Sequence, residues 1–130
     1  MKGTLVLDSA GLAGYLESDR KVMLLVDAAK RQDRALVISA ATVIEVQHGR
    51  VRPARMNWVL SRLRVEDLTR DAARAAAALL EEAGLHGHRC AIDAMVAEAA
   101  LRQRPPVTLL TSDVGDLSRL CGSAVRVIGI

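Results

Sequence analysis

Hydrophobic positions along the chain fall into short runs that alternate with longer, periodically spaced segments. Leu5-Val6-Leu7, Ala35 to Ile38, Leu63 to Val65, Val107 to Leu110 and Val125 to Ile128 read as five strands. The third is weak, and Pro105-Pro106 introduces the fourth. Val22 to Gln32 reads as a helix. Thr69 to Ala83 reads as another, with Thr69 as its N-cap and Gly84 past its end. Ala91 to Gln103 carries Ile92, Met95, Val96, Ala99 and Ala100 at helical stripe spacing. Strands alternating with helices predict an α/β domain: a central parallel sheet of about five strands with helices on both faces. No repeat, linker or low-complexity segment interrupts it, so residues 1–130 are expected to form one domain.

Composition narrows the picture. Hydrophobic residues make up 51% and charged residues 25%, which suits a globular chain. Phe is absent and aromatics are only 2%, so the core must come from Leu, Val, Ile, Ala and Met. That scarcity excludes the aromatic platform on which single-strand binders stack successive bases. The net charge of +3 is compatible with a polyanionic substrate without requiring one. Cys90 and Cys121 follow no metal-binding spacing and read as free thiols. No apolar stretch approaches a membrane span, and the apolar run near the start is too short for a signal peptide. A cytoplasmic location without membrane association is the expectation.

In parallel α/β sheets, ligands bind beyond the carboxyl ends of the strands, so the residues placed there matter most. Asp8 directly follows the first strand. Glu45 lies one to two helical turns past the second, Asp93 opens the long helix, and Asp113 follows the fourth strand with Asp116 one turn on. Each also has an ordinary reading. Asp8 suits an N-cap for a helix starting near Ala10, and Thr42 with Glu45 has capping-box spacing. Asp93 suits a helix dipole, and Asp113 and Asp116 suit the start of the next helix. Together, however, they converge on one sheet edge. Two unit charges about 4 Å apart repel by about 4 kcal/mol at an effective dielectric near 20, so such a set needs cations or raised pKa values. All-oxygen donors favour Mg²⁺ or Mn²⁺, and ions so held can promote phosphodiester cleavage.

Four segments carry a family resemblance: Leu-Val-Leu-Asp-Ser, Ile-Ser-Ala-Ala-Thr-Val-Ile-Glu-Val, Ala-Ile-Asp-Ala-Met-Val-Ala and Leu-Leu-Thr-Ser-Asp-Val-Gly-Asp-Leu. In order and spacing they resemble the motifs of PIN-domain nucleases, closest to the VapC-type toxins of toxin–antitoxin pairs. The resemblance implies a single PIN-like domain and an endoribonuclease that cleaves single-stranded RNA with Mg²⁺ or Mn²⁺ and metal-activated water. It further implies a homodimer and a cognate antitoxin that inhibits it. By motif position, Asp8 and Asp93 would be metal ligands. Glu45 and an acid of the last motif would complete the catalytic set, with Asp113 and Asp116 both open. Thr111 or Ser112 can orient a carboxylate or water through its hydroxyl.

From Val46 to Val65 there is no acid, while Arg50, Arg52, Arg55, Arg62 and Arg64 are all present. This reads either as a solvated basic face or as a contact for phosphates, Arg50 and Arg52 first, or for an acidic antitoxin segment. Met56, Val59, Leu60 and Leu63 form an apolar stripe in the same region, and Trp58 can pack at a contact or cover the core. His86 and His88 lack a suitably spaced Cys partner for zinc, and His48 reads as a surface residue. A phosphoacceptor receiver domain is the first rival reading. It needs a Lys near the end of the fourth strand, and no Lys occurs after Lys30. The second rival is a catalytically inactive PIN-like scaffold that binds RNA or protein.

Overall fold

The computed structural model describes residues 2–130. Five strands form one wholly parallel sheet: β1 (Thr4–Leu7), β2 (Ala35–Ser39), β3 (Arg64–Glu66), β4 (Val107–Thr111) and β5 (Val125–Gly129). Their order is β3-β2-β1-β4-β5. Seven α-helices connect them: α1 (Ser9–Leu16), α2 (Arg20–Arg31), α3 (Ala40–Val46), α4 (Pro53–Ser61), α5 (Arg70–Ala83), α6 (Gly87–Leu101) and α7 (Val114–Cys121). The expected α/β architecture is the one found, and all five expected strands are present with shifts of a residue or two at their ends.

Alternation along the strands sorts the core into two layers. Val6, Val37 and Leu109 face Ala76 and Leu80 of α5, Ala94 and Ala97 of α6, and Leu117 and Leu120 of α7. Leu5, Leu7, Leu36, Ile38 and Leu110 belong to the opposite layer, with Leu12 and Tyr15 of α1, Val22 and Val26 of α2, and Met56 and Val59 of α4. The core is aliphatic, as composition requires, except that Tyr15 is wholly buried within it.

Several helix ends follow from local chemistry. Thr69 Oγ1 accepts from Ala72 N at 3.0 Å, and Gly84 closes α5 in the left-handed conformation (φ 67). Asp19 caps α2 by accepting from Val22 N, so that helix begins at Arg20, two residues before the expected Val22. The capping-box reading of Thr42 with Glu45 is not realised. Ser39 is the N-cap of α3, because β2 runs straight into the helix and its last residue serves as the cap. Thr42 Oγ1 is buried with no hydrogen-bond partner.

One contact sets how closely α1 approaches α2. A Cβ built on Gly14 would lie 2.5 Å from Val22 Cγ2. Val22 is buried and β-branched, so it has little freedom to move aside. Gly14→Ala is expected to destabilise the protein by about 1–3 kcal/mol through overpacking, outweighing a helix-propensity gain of up to about 1 kcal/mol. Urea unfolding measures this, and an unchanged midpoint would contradict the α1–α2 packing described.

Candidate metal centre

The sheet order reverses direction between β1 and β4. From β1 the chain first builds outward to β2 and β3, then returns to add β4 and β5 on the other side. Such a switch point leaves a crevice at the carboxyl ends of the two central strands. Asp8 lies at the end of β1 and Asp113 just beyond the end of β4, and Asp8 N donates to Leu110 O at 3.1 Å.

Asp8 is 5% exposed, and one carboxylate oxygen accepts from Gly11 N at 3.1 Å, which makes it the N-cap of α1. Asp113 likewise caps α7, accepting from Asp116 N at 3.3 Å. The buried Thr111 hydroxyl accepts from Asp113 N at 2.9 Å and so fixes the turn between β4 and α7. Helix α6 brings in Asp93 from the other side. The carboxylate oxygens of Asp93, Asp113 and Asp116 lie within 4.8 Å of one another. Both acids of the last motif therefore enter the cluster.

Electrostatics mark this trio as strained without a cation. The Asp93 carboxyl is pushed up to about 7. Burial is the largest cause, followed by a hydrogen bond shared with Asp113 and by repulsion from Asp113, Asp116 and Asp8. Asp8 thus stands close enough to act on Asp93, although it is not one of the three acids that meet within 4.8 Å. The donor set fits a hard divalent ion. All donors are carboxylate oxygens, and opposite ligands of one ion with bonds of 2.0–2.6 Å stand roughly 4–5 Å apart.

The remaining polar residues singled out in the sequence lie outside the trio. Glu45 is exposed on α3, which packs against α1 and α6, but it does not join the acidic trio. Its place one turn further along a short helix carries it away from the strand end. Ser112 is exposed. His86 and His88 are exposed at the start of α6 and outside the cluster, and His48 is exposed just past α3. Glu98 points away from the trio, as its spacing from Asp93 implies, and pairs with Arg102 at 3.0 Å. Glu66 holds both Arg64 and Arg102.

The basic segment divides by role. Arg50 and Arg52 are exposed and line a groove of about 490 Å³ with Ala13, Leu16, Val46 and Arg55. Arg55 is half-buried and structural: its guanidinium donates to Tyr15 O, Leu16 O and Ser18 Oγ, satisfying the carbonyl end of α1. Arg64 is engaged by Glu66 and by Gln103.

Sequence reasoning overlooked Cys90. It is buried at a non-helical kink in α6, and its sulfur lies 3.9 Å from an Asp116 oxygen. Burial and then Asp116 push its thiol pKa up, with Arg89 opposing. Its spacing of three residues from Asp93 gave no sure signal, because Cys90 itself is non-helical and the kink, not regular helix geometry, sets where its sulfur lies.

No family model matches the chain, and no curated protein matches it significantly. Solved structures do share its fold. A chain of the VapBC2 complex from Rickettsia felis, bound to a DNA fragment from its promoter, superposes with a TM-score of 0.73 at 16% identity, covering 98% of each chain. A toxin–antitoxin complex from Klebsiella pneumoniae gives 0.73 at 21% identity, over 94% of this chain and 95% of that one. FitAcB from Neisseria gonorrhoeae gives 0.68 at 20% identity, over 96% of each. At these identities the shared property is the fold, and it extends over nearly the whole chain. No helix among the described residues is long and apolar enough to cross a membrane.

Proposed function

We propose that the chain is a metal-dependent endoribonuclease of the PIN kind, acting on single-stranded RNA, and the toxin of a toxin–antitoxin pair. The observation that carries this reading is the meeting of Asp93, Asp113 and Asp116 within 4.8 Å at the sheet's switch point, with Asp8 beside them. The fold shared with chains of toxin–antitoxin complexes supports the toxin assignment.

In this reading Asp8, Asp93, Asp113 and Asp116 hold Mg²⁺ or Mn²⁺. A bound divalent ion supplies two things: a lowered pKa for water and compensation of charge building on a phosphodiester. The chain's own residues set the geometry. Thr111 anchors the Asp113 turn, and the α1 cap keeps the Asp8 carboxylate at the strand end. The Asp93 carboxyl, pushed up to about 7, holds a proton increasingly as pH falls below neutral, and a cation held there would compete with that proton. Arg50 and Arg52, exposed along their groove, offer charge to the RNA backbone or to an acidic segment of an antitoxin. Glu45 serves as an outer carboxylate rather than as a member of the trio. A homodimer completes the expected assembly.

The test is purified, partner-free protein incubated with single-stranded RNA and Mg²⁺ or Mn²⁺, with and without chelator. Cleavage that the chelator stops supports the reading. Intact RNA in Mn²⁺ would favour an inactive scaffold instead. For the partner, a protein encoded next to this one is expected to bind it, and Arg52→Glu should slow association more at low salt than at high salt. Stopped-flow rates measure this. Arg55 is unsuited to the same test, because its loss also strips α1 of its cap.

A further inference from the structure

Trp58 is 44% exposed on α4, the largest aromatic side chain on a surface otherwise nearly devoid of aromatics. Three neighbours hold it. The Tyr15 ring meets it edge-on, with centroids 6.3 Å apart. The Arg55 guanidinium lies 4.9 Å from the ring centroid and that of Arg62 lies 5.2 Å from it. The two arginines are not equivalent. Arg55 is pinned by its three hydrogen bonds to the end of α1. Among the described residues, no side-chain hydrogen bond or ion pair holds Arg62. The indole is thus fixed in place by one cation and covered by another that is free to swing.

We propose that Trp58 is a stacking site for one base of a single-stranded RNA, with Arg62 moving from the ring to an adjacent phosphate as the base arrives. This rests on the ribonuclease reading and adds a binding contact outside the acidic site. Base–aromatic stacking tolerates any sequence because every base offers a π-face. A guanidinium that stacks on an indole can exchange for a base without loss of planar contact. The surroundings favour a polyanion. The segment from Val46 to Val65 contains no acid, and the groove that adjoins the tryptophan through Arg55 sets Arg50, Arg52 and Arg55 against a single acid, Glu17. A second copy of this chain on the same patch would set arginines against arginines, since a two-fold contact pairs a surface with itself. Position also fits. Tyr15 lies seven residues along α1 from Asp8, a backbone rise of roughly 10 Å, and Trp58 packs against the Tyr15 ring, so one helix links the tryptophan to the proposed site. Composition rules out a row of stacked bases, whereas a single ring braced by cations needs only one tryptophan.

Trp58 is the chain's only tryptophan, so its fluorescence reports on this residue alone. The experiment uses the intact protein in chelator, titrated with a short oligoadenylate and with a ribose-phosphate oligomer of equal length lacking bases. Oligoadenylate is expected to quench the emission saturably, while the abasic oligomer binds by anisotropy and leaves it unchanged. Trp58→Leu should weaken oligoadenylate binding roughly 5- to 100-fold without altering abasic binding, and Trp58→Phe should restore most of the loss. Oligoadenylate that binds with no change in emission, and equally to Trp58→Leu, would overturn the proposal. So would a Trp58→Leu protein whose only change is its oligomeric state by sedimentation, which assigns the ring to a protein contact. If no oligonucleotide binds and no RNA is cut in Mn²⁺, the ribonuclease reading itself fails, and the two failures are distinguishable.

Discussion

Replacing Asp8 with Asn is expected to lower RNA cleavage by orders of magnitude while leaving the metal-free melting temperature nearly unchanged. The Asp8 side chain has two tasks in one place: it caps α1 through Gly11 N, and it adds negative charge beside Asp93. Asn keeps a carbonyl oxygen for the cap and ranks with Asp as an N-cap residue. It removes the charge, and with it a ligand of the ion on which the proposed reaction depends. Asp8→Ala loses both, so it should cost about 1 kcal/mol of stability in addition to activity. Circular dichroism melts and cleavage assays on the same preparations separate the tasks. An Asp8→Asn protein that cuts RNA at the wild-type rate would confine Asp8 to capping.

The second large effect is expected at Asp93. Burial, then Asp113, Asp116 and Asp8, push its carboxyl up to about 7 in the folded chain, well above the ordinary carboxylate range. The folded state therefore binds the proton more tightly than the unfolded state does. Stability from this group is fully present below the unfolded value, declines as pH rises, and is lost above pH 7. Because the carboxyl is only partly buried, solvent screening reduces the effect to about 1–2 kcal/mol. Asp93→Asn should therefore be more stable than wild type at pH 8 without metal, and nearly equal to it at pH 3. The same change should abolish most of the rise in melting temperature that Mg²⁺ or Mn²⁺ gives by mass action. Wild-type protein whose metal-free stability does not fall between pH 4 and 8 would contradict this account of the trio. An Asp93→Asn protein that keeps the full metal response would remove Asp93 from the site.

Much of the fold was legible because four of the five strands are short, bounded apolar runs, β3 (Arg64–Glu66) being the exception. Val107 to Leu110 follows two prolines and ends in Thr111-Ser112-Asp113, so both the strand and the acid at its carboxyl end could be read. A parallel sheet then gathers strand ends, which is why Asp8, Asp93, Asp113 and Asp116 could be singled out without coordinates. The ordinary and functional readings of these acids are also compatible in the structure. Asp8 and Asp113 are helix caps and members of the acidic neighbourhood at once.

What escaped depends on distances that sequence spacing does not carry. Glu45 and Asp116 each follow a strand end and stand in the first turns of the next helix, yet only Asp116 reaches the trio. Asp116 stands in the first turn of α7, whereas Glu45 lies about a turn further along α3. Thr42 looked like a cap because strand and helix are fused at Ser39 with no intervening loop. Cys90 had no motif of its own, and a kink in α6 brings its sulfur against Asp116. Arg55 resembled its surface neighbours in sequence, but α1 ends against it and claims its donors.

The most direct test of the central claim is the chemistry of the RNA ends that the free protein leaves. Purified protein, single-stranded RNA and Mn²⁺ are combined, and the fragments are probed for their terminal groups. An ion-activated water attacking phosphorus predicts 5′-phosphate and 3′-hydroxyl ends, with no cut in chelator and none by Asp8→Asn. Fragments ending in 2′,3′-cyclic phosphate and 5′-hydroxyl, formed equally well in chelator, would show that the 2′-hydroxyl is the nucleophile and that the acidic centre does not cut RNA.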